Sequence, residues 1–411
     1  MTRHLMRLMW NRKRQNLLLM VEIFVAFLVV VAVSVTGVHF GYNSMQPLGF
    51  SHEDVWSLNV QRGRVGGERS HEADRETFRQ VMAEVSSRPE MEHVSGAFAG
   101  PYSWYSWGDS LRPEGRPPIV MNVNRTDDAF SDVLGIQLLN GRWFTREDDG
   151  AWAGNWEPVV INRRLALEVF GREDVSGETI VETPEGDGHR GRPKRVVGVV
   201  QDFRQFGEMS TPSPVLFYRR SIDAPAEHLE LPDTVLMKLG PGTTAAFEEA
   251  LLRRLQAIAP SWSFGIQPVT AMRESMLRQN MVPLVVVSMI AGAMLLMVAL
   301  GLTGVVWQSV TQRMREFGLR RAHGATGLGV GRQVIAELVV MTTFAVATAC
   351  LLLLQIPLLP LPTVIAVIPP PVFVAGVLLA IVAVYSVTIL CAWYPSRLAT
   401  RVPPAEALRY E

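Results

Sequence analysis

Cysteine is nearly absent: the 411 residues hold two, Cys350 and Cys391, and both fall inside apolar stretches. The polar middle of the chain therefore has no disulfide to staple it. Two thiols in apolar segments read as small bundle residues, and the sequence leaves open whether they meet. Lysine is almost as scarce, with Lys13, Lys194 and Lys238 alone, and none stands in G-x-x-x-x-G-K-[ST]. That pattern is what cradles a nucleotide's phosphates, so this polypeptide offers no P-loop of its own. Metalloprotease and hydrolase signatures are missing too. His71 is followed by Glu72, but Arg75 occupies the place of the second ligand, and no G-x-S-x-G elbow occurs. His52, Glu53, Asp54, His71, Glu72 and Asp74 could gather as ligands, yet such clusters are usually solvated surface, so no metal site is expected. No catalytic residue and no bound cofactor is expected either. With a formal net charge of zero, no nucleic-acid partner is expected.

What the chain does have is long apolar runs. Its 48% apolar content gathers into four blocks, Leu17 to Phe40, Leu284 to Val310, Val334 to Ile356 and Val372 to Tyr394. Each meets the need of about 20 largely apolar residues for a membrane span. The fold class follows: a membrane protein of four transmembrane α-helices, with a large α+β extracytoplasmic domain between the first and second spans. Arginine sets the orientation. Arg3, Arg7, Arg12, Lys13 and Arg14 precede the first block; Arg313, Arg315, Arg320, Arg321 and Arg332 lie between the second and third; Arg397, Arg401 and Arg409 follow the fourth. Pro357 to Pro371 carries no charge at all. By the positive-inside rule both termini and the Arg313 loop are cytoplasmic.

The expected organisation is a cytoplasmic amphipathic leader (1–16), a first span (17–40), a periplasmic core domain (41–280), a second span (281–310) and a cytoplasmic coupling loop (311–333). A third span (334–356), a short external loop (357–371), a fourth span (372–394) and a cytoplasmic tail (395–411) complete it. The first block is longer than a usual signal-peptide core, and VTGVHFGYNS offers no convincing cleavage site, so it reads as a retained anchor. Ahead of it, Arg3, His4, Arg7 and Asn11 share one helical face and Leu5, Met6, Leu8, Met9 and Trp10 the other. That arrangement fits a helix lying on the inner leaflet, where membrane lipid is the partner; a merely basic leader is the alternative. Glu22 and Glu337 are candidate intramembrane polar sites, because an unpaired carboxylate there is costly. Snorkelling to the nearby basic interface, or a structural pair, is the competing account.

Between the first two spans the pattern changes. Val55 to Val60 alternates as a strand, Ser70 to Ser87 reads as a helix, and Ile119 to Asn124 alternates again. Asn162 is placed to cap a helix, RRLALEVF, that Gly171 ends, and Lys194 to Phe203 reads as a strand. Val235 to Leu239, Thr244 to Ala259 and Ser263 to Pro268 form a strand, helix, strand unit. Phe50 to Pro101 and Asp233 to Thr270 resemble each other, which predicts two lobes with a Pro- and Gly-rich middle inserted. The aromatic run PYSWYSWG carries Tyr102, Trp104, Tyr105 and Trp107. Together with Trp143, Trp152 and Trp156 it forms either an external contact surface or ordinary core.

The loop RMREFGLRRAHGATGLGVGRQ, Arg313 to Gln333, stands out. On a helical wheel Arg313, Glu316, Arg320 and His323 share one face and Met314, Phe317, Gly318 and Ala322 another; Glu316 and Arg320 form a favourable i,i+4 pair. Gly324 is placed to end this short helix. Gly327, Gly329 and Gly331 follow no strand, so they fail the context test for a nucleotide fingerprint. Each costs about 1 kcal/mol relative to Ala in a helix, which predicts a flexible second half.

These residues carry a resemblance. REFGLRRAHGAT resembles the REIGLRRALGAT loop of MacB/FtsX-type ABC transporter permeases, and YPSRLATRVPPAEALRYE resembles that family's C-terminal ending. LGIQLLNGRWFT, VVINRRLALEVFGREDVSGETI and RVVGVVQDF resemble its periplasmic core domain. The resemblance covers essentially the whole chain, and the glycines at 327, 329 and 331 depart from the family's polar helix formers. It implies a non-catalytic permease subunit in a bacterial inner membrane. Such a subunit dimerises, as a homodimer or a paralogous heterodimer, and recruits a separate ABC ATP-binding subunit that supplies ATP and Mg. Coupling would pass through Arg315, Glu316, Phe317, Gly318, Leu319, Arg320, Arg321, His323 and Gly324. Expected external partners are a periplasmic adaptor with an outer-membrane channel, or lipoproteins, in efflux or extraction. The alternatives are a sensory or regulatory ABC-type complex that activates a periplasmic partner, and a membrane-anchored periplasmic enzyme. Four spans and a basic internal loop are unneeded by the last, which also has no identifiable nucleophile or acid/base pair.

Overall fold

A computed structural model describes residues 13–63, 71–103, 107–153, 155–183, 192–223, 231–240, 245–312, 327–355 and 368–401. The leader Arg3 to Arg12, the coupling residues Arg315 to Gly324, Trp104 and Tyr105 lie outside the described residues. The chain divides into two compact units, residues 1–42 with 280–411, and residues 43–279.

The first unit holds helices long and apolar enough to cross a membrane, four of them among the described residues. They are α1 (Lys13–Ser44), α6 (Val269–Gln312), α7 (Gly327–Leu353) and α8 (Pro370–Arg401), numbered with the helices of the second unit. Their shared core contains Ile23, Phe27 and Val31 of α1, Val298 and Leu302 of α6, Ala349 of α7 and Ala380 of α8. Small residues set the spacing, as expected where packing rather than water drives association. A Cβ at Gly376 would come within 2.5 Å of the Val35 Cα, so the backbones of α8 and α1 approach closely at a point that only glycine permits. Polar groups tie α7 to α8: the buried hydroxyls of Thr342 and Thr388 lie 3.2 Å apart, and the exposed hydroxyls of Thr343 and Tyr385 2.8 Å. Both cysteines are free thiols. Gly327 to Gly331, expected as a flexible stretch, begin α7 as helix. Their penalty of about 1 kcal/mol each is small against the apolar helix they lead into.

The second unit is built on an 11-stranded mixed sheet in the order β11-β1-β10-β2-β4-β9-β6-β8-β5. Its strands are β1 (Val55–Gln61), β2 (Met91–Ala97), β3 (Trp107–Leu111), β4 (Ile119–Thr126), β5 (Leu138–Gly141), β6 (Glu157–Asn162), β7 (Thr179–Ile180), β8 (Lys194–Val200), β9 (Val215–Arg219), β10 (Thr234–Leu239) and β11 (Ser263–Pro268). β3 pairs with β4, and β7 with β8, off the main path. One half, β11-β1-β10-β2, is wholly antiparallel and carries α2 (His71–Ser86) and α5 (Ala245–Ile258). This is a split β-α-β pair. Leu58, Val60, Phe78, Val81, Leu251, Leu255, Trp262 and Ile266 are buried between its sheet and helices. In the other half β4 runs parallel to β9 and β6 parallel to β8. The Pro- and Gly-rich middle therefore continues the same sheet rather than standing apart from it.

Local rules explain the elements. α3 (Phe130–Leu134) is a short turn of helix closed by Gly135; α4 (Arg163–Phe170) starts at Asn162, whose side chain accepts from the Leu165 N–H, and stops at Gly171 with φ of 75°. Its apolar face, Leu165, Ala166 and Val169, packs on Val159, Ile161 and Leu216. β8 ends at Val200, three residues short of the expected Phe203, because the chain turns there into the loop described next. An aromatic cluster of Phe50, Tyr102, Phe130, Trp143, Phe203 and Phe217 fills the remaining core. Full burial of one such ring contributes about 1.5–3 kcal/mol.

Candidate functional site: a clasp on two helix ends

The loop after β8, QDFRQFGEMS, gathers more hydrogen bonds on one side chain than any sequence feature announces. Arg204 is 2% exposed. Its Nη1 donates to the carbonyls of Asn43 at 2.8 Å and Gln46 at 3.0 Å, and its Nη2 donates to those of Glu208 and Ser210. Asn43 lies in the last turn of α1, where carbonyls lack helical partners and the helix dipole is negative. A planar cation with a fixed fork of donors fits that need. Burial pulls the guanidinium's pKa below its ordinary value, although the charges of Glu208 and Asp202 oppose this. Asn43 Nδ2 adds a bond to the Met209 carbonyl at 3.0 Å.

Glu208 carries the clasp to the other helix. Its carboxylate pairs with Arg273, in the first turns of α6, and accepts from the Tyr102 hydroxyl at 3.4 Å. That pairing raises the Arg273 pKa, and burial, followed by the Glu208 charge, raises that of Tyr102. Gly207 makes the turn possible: its φ is 77°, and a Cβ there would lie 2.5 Å from the Tyr102 ring. Tyr102 itself has φ of 56°, rare for a bulky residue. Val269 and Met276 of α6 sit in the aromatic core beside Phe50 and Tyr102. Within unit 2, one loop thus fixes the end of α1 and the beginning of α6. The arrangement holds the two helix ends; among the described residues it contains no nucleophile paired with a base.

The residues expected from sequence fall in different places. Tyr102 is 3% exposed and belongs to the core, so of its two readings, external contact surface or ordinary core, the second holds. Its ring meets Phe50 edge-on at 5.7 Å, and a buried ring with its hydroxyl bonded is in core geometry. Trp143 likewise stacks on Phe130 at 6.0 Å. Trp107 remains 45% exposed, with the Arg125 guanidinium 4.7 Å from its ring centre. Glu22 is half-buried in α1, and its Oε2 lies 3.2 Å from where a Cβ on Gly301 of α6 would stand. Glu337 is half-buried in α7. Among the described residues, no group of three or more His, Cys, Asp or Glu is arranged to hold a metal ion.

Two families match this chain. The MacB-like periplasmic core domain matches residues 17–254, more than half of the chain, and the FtsX-like permease C-terminal region matches residues 288–404. The chain belongs to the MacB/FtsX-type ABC transporter permeases.

This permease is 26% identical over 305 residues to the uncharacterized ABC transporter permease YvrN of Bacillus subtilis, covering 70% of each chain. It is 25% identical to the uncharacterized ABC transporter permease YknZ of the same organism, covering 54% of this chain and 53% of the relative. To the macrolide export ATP-binding/permease protein MacB of Bordetella avium it is 24% identical, covering 74% of this chain and 47% of the relative. The chain thus spans about half the length of YknZ and of this MacB. The crystal structure of the periplasmic region of MacB from Actinobacillus actinomycetemcomitans aligns with 57% of this chain and 97% of its own, at 17% identity and a TM-score of 0.37.

Proposed function

We propose that this permease is the membrane subunit of an ABC transporter whose ATP is hydrolysed by a separate ATP-binding subunit. It converts that subunit's cycle into movement of its periplasmic domain. The observation that carries this reading is the FtsX-like match over residues 288–404, which includes the whole of REFGLRRAHGAT, alongside the MacB-like match over 17–254. Relatives named as ABC transporter permeases support it. The arginines before the first apolar block, between the second and third and after the fourth favour an orientation with both termini and the coupling loop cytoplasmic and residues 43–279 outside. Arg315 to Gly324 are the contact for the ATP-binding subunit, which brings ATP and Mg; a second permease chain completes the complex. The cargo is a periplasmic or membrane substrate that is exported or extracted.

The chain purified alone in detergent is expected to show no ATP hydrolysis above background. The complex isolated with it from native membranes is expected to hydrolyse ATP and to contain a P-loop subunit. Clear turnover by the chain alone would overturn the assignment of hydrolysis to a partner.

A further inference from the structure

The face of β1 and β11 that turns away from α2 and α5 carries a polar ladder. Leu58, Val60 and Ile266 point to the helices and are buried there. The alternate residues pair across the two strands as Ser57 with Gln267, Asn59 with Gly265 and Gln61 with Ser263. Paired residues share a face, and successive rungs repeat about every 7 Å. Together with Phe264 of β11 and Met272 of α6 they line a cavity of about 340 Å³. That volume is within the range of sites that hold small molecules.

Three features set this face apart from ordinary solvated sheet. Ser57 is 6% exposed, yet its hydroxyl has no hydrogen-bond partner among the described residues, where buried hydroxyls are normally bonded. The side chains of Asn59, Gln61, Ser263 and Gln267 are likewise uncommitted among the described residues, so their donors and acceptors all face one space. Gly265 stands in the middle of a strand without being required there: its φ lies outside the left-handed region, and a Cβ would meet nothing within 4 Å. Glycine weakens a strand interior and often marks the close approach of a ligand. Finally, in a chain that is 19% charged, no charged side chain among the described residues lines this cavity.

We propose that this ladder is a binding site for a neutral saccharide, seated over Gly265 and held by Ser57, Asn59, Gln61 and Gln267. Serine hydroxyls and the amides of Asn and Gln each donate and accept, which matches a ligand whose own hydroxyls do both. A charged ligand would be desolvated there with no counter-ion. Met272 supplies an apolar wall for the C–H face of a sugar ring. The rungs spread their polar groups over about 14 Å, which suits linked rings rather than one small polyol. An extended peptide would be taken instead through main-chain bonds by the outer edge of β11, which ends the sheet.

The test is calorimetric titration of the full chain held in an amphipol, since glycoside detergents carry the chemistry under test. Cellobiose, maltose and N,N′-diacetylchitobiose are the probes, and at least one is expected to bind saturably at one site per chain. Gly265→Val would fill the space over the ladder with a residue that suits a strand, so it should keep the fold and abolish binding. Asn59→Ala should weaken binding roughly tenfold, the effect of losing one or two hydrogen bonds; this variant carries the test if Gly265→Val does not fold. No saturable binding of any of the three disaccharides would overturn the proposal. So would equal binding by the unaltered chain and either folded variant, or binding of an uncharged, end-capped peptide in place of the sugars. The titration needs neither ATP nor a second subunit, so its outcome is separate from that of coupling to an ATP-binding subunit.

Discussion

Arg204→Met lowers the unfolding free energy of the large unit by about 3–5 kcal/mol, the range for removing one partner from a buried charged network. Methionine fills much of the volume, so the loss is not chiefly one of packing. The carbonyls of Asn43, Gln46, Glu208 and Ser210 would lose their shared donor inside a site where Arg204 is 2% exposed. Each bond to a charged group is worth about 1.5–3 kcal/mol, and the four are not additive because they share one guanidinium. Arg204→Lys should fall between, since an ammonium offers three donors from one point and cannot span two pairs of carbonyls. Urea unfolding of the full chain, followed by proteolysis within residues 43–279, gives the comparison. Insertion of the apolar helices should be unchanged, and equal midpoints for Arg204→Met and the unaltered chain would remove the clasp from the account.

Phe317→Asp should uncouple the permease from its ATP-binding subunit. Phe317 shares an apolar face with Met314, Gly318 and Ala322 on the helical wheel, and a carboxylate there would need to be desolvated against the partner. Loss of a central aromatic anchor typically costs about 2–4 kcal/mol, which weakens association by roughly thirty- to a thousandfold. The expected readout is loss of chain-dependent stimulation of the subunit's ATP hydrolysis, with normal membrane insertion. Unchanged stimulation would mean that Phe317 is not at the contact.

Much of the architecture was legible because it rests on local rules. Asn162 and Gly171 bracket α4 through side-chain and left-handed backbone capping, and both are visible as residue types at the right spacing. Apolar length marked α1, α7 and α8 for the same reason. The early start of α6 was not legible from hydropathy. Its first turns, TAMRESMLRQN, are polar, and what makes them helical is a stripe of Val269, Met272 and Met276 packed on the aromatic core. β2 and β9 were missed as well: MEHVSGA lacks clean alternation, and VLFYR is buried throughout, so neither shows a half-buried strand's period of two. Arg204 gave no signal, because a lone arginine in a loop acquires its role only when four carbonyls from two segments converge on it. For Tyr102 the sequence left two readings open, contact surface or core; core packing holds there, with Gly207 close against its ring.

The central claim is that the loop between α6 and α7 meets a separate ATP-binding subunit. The most direct measurement places a photo-crosslinking amino acid at position 317 of the full chain in native membranes and identifies the adduct by mass spectrometry. A covalent adduct to a subunit carrying a P-loop is expected, absent when the same group stands at Glu76 on α2. Robust crosslinking at 317 to lipid or to a second copy of this chain alone, with no P-loop subunit captured, would contradict it.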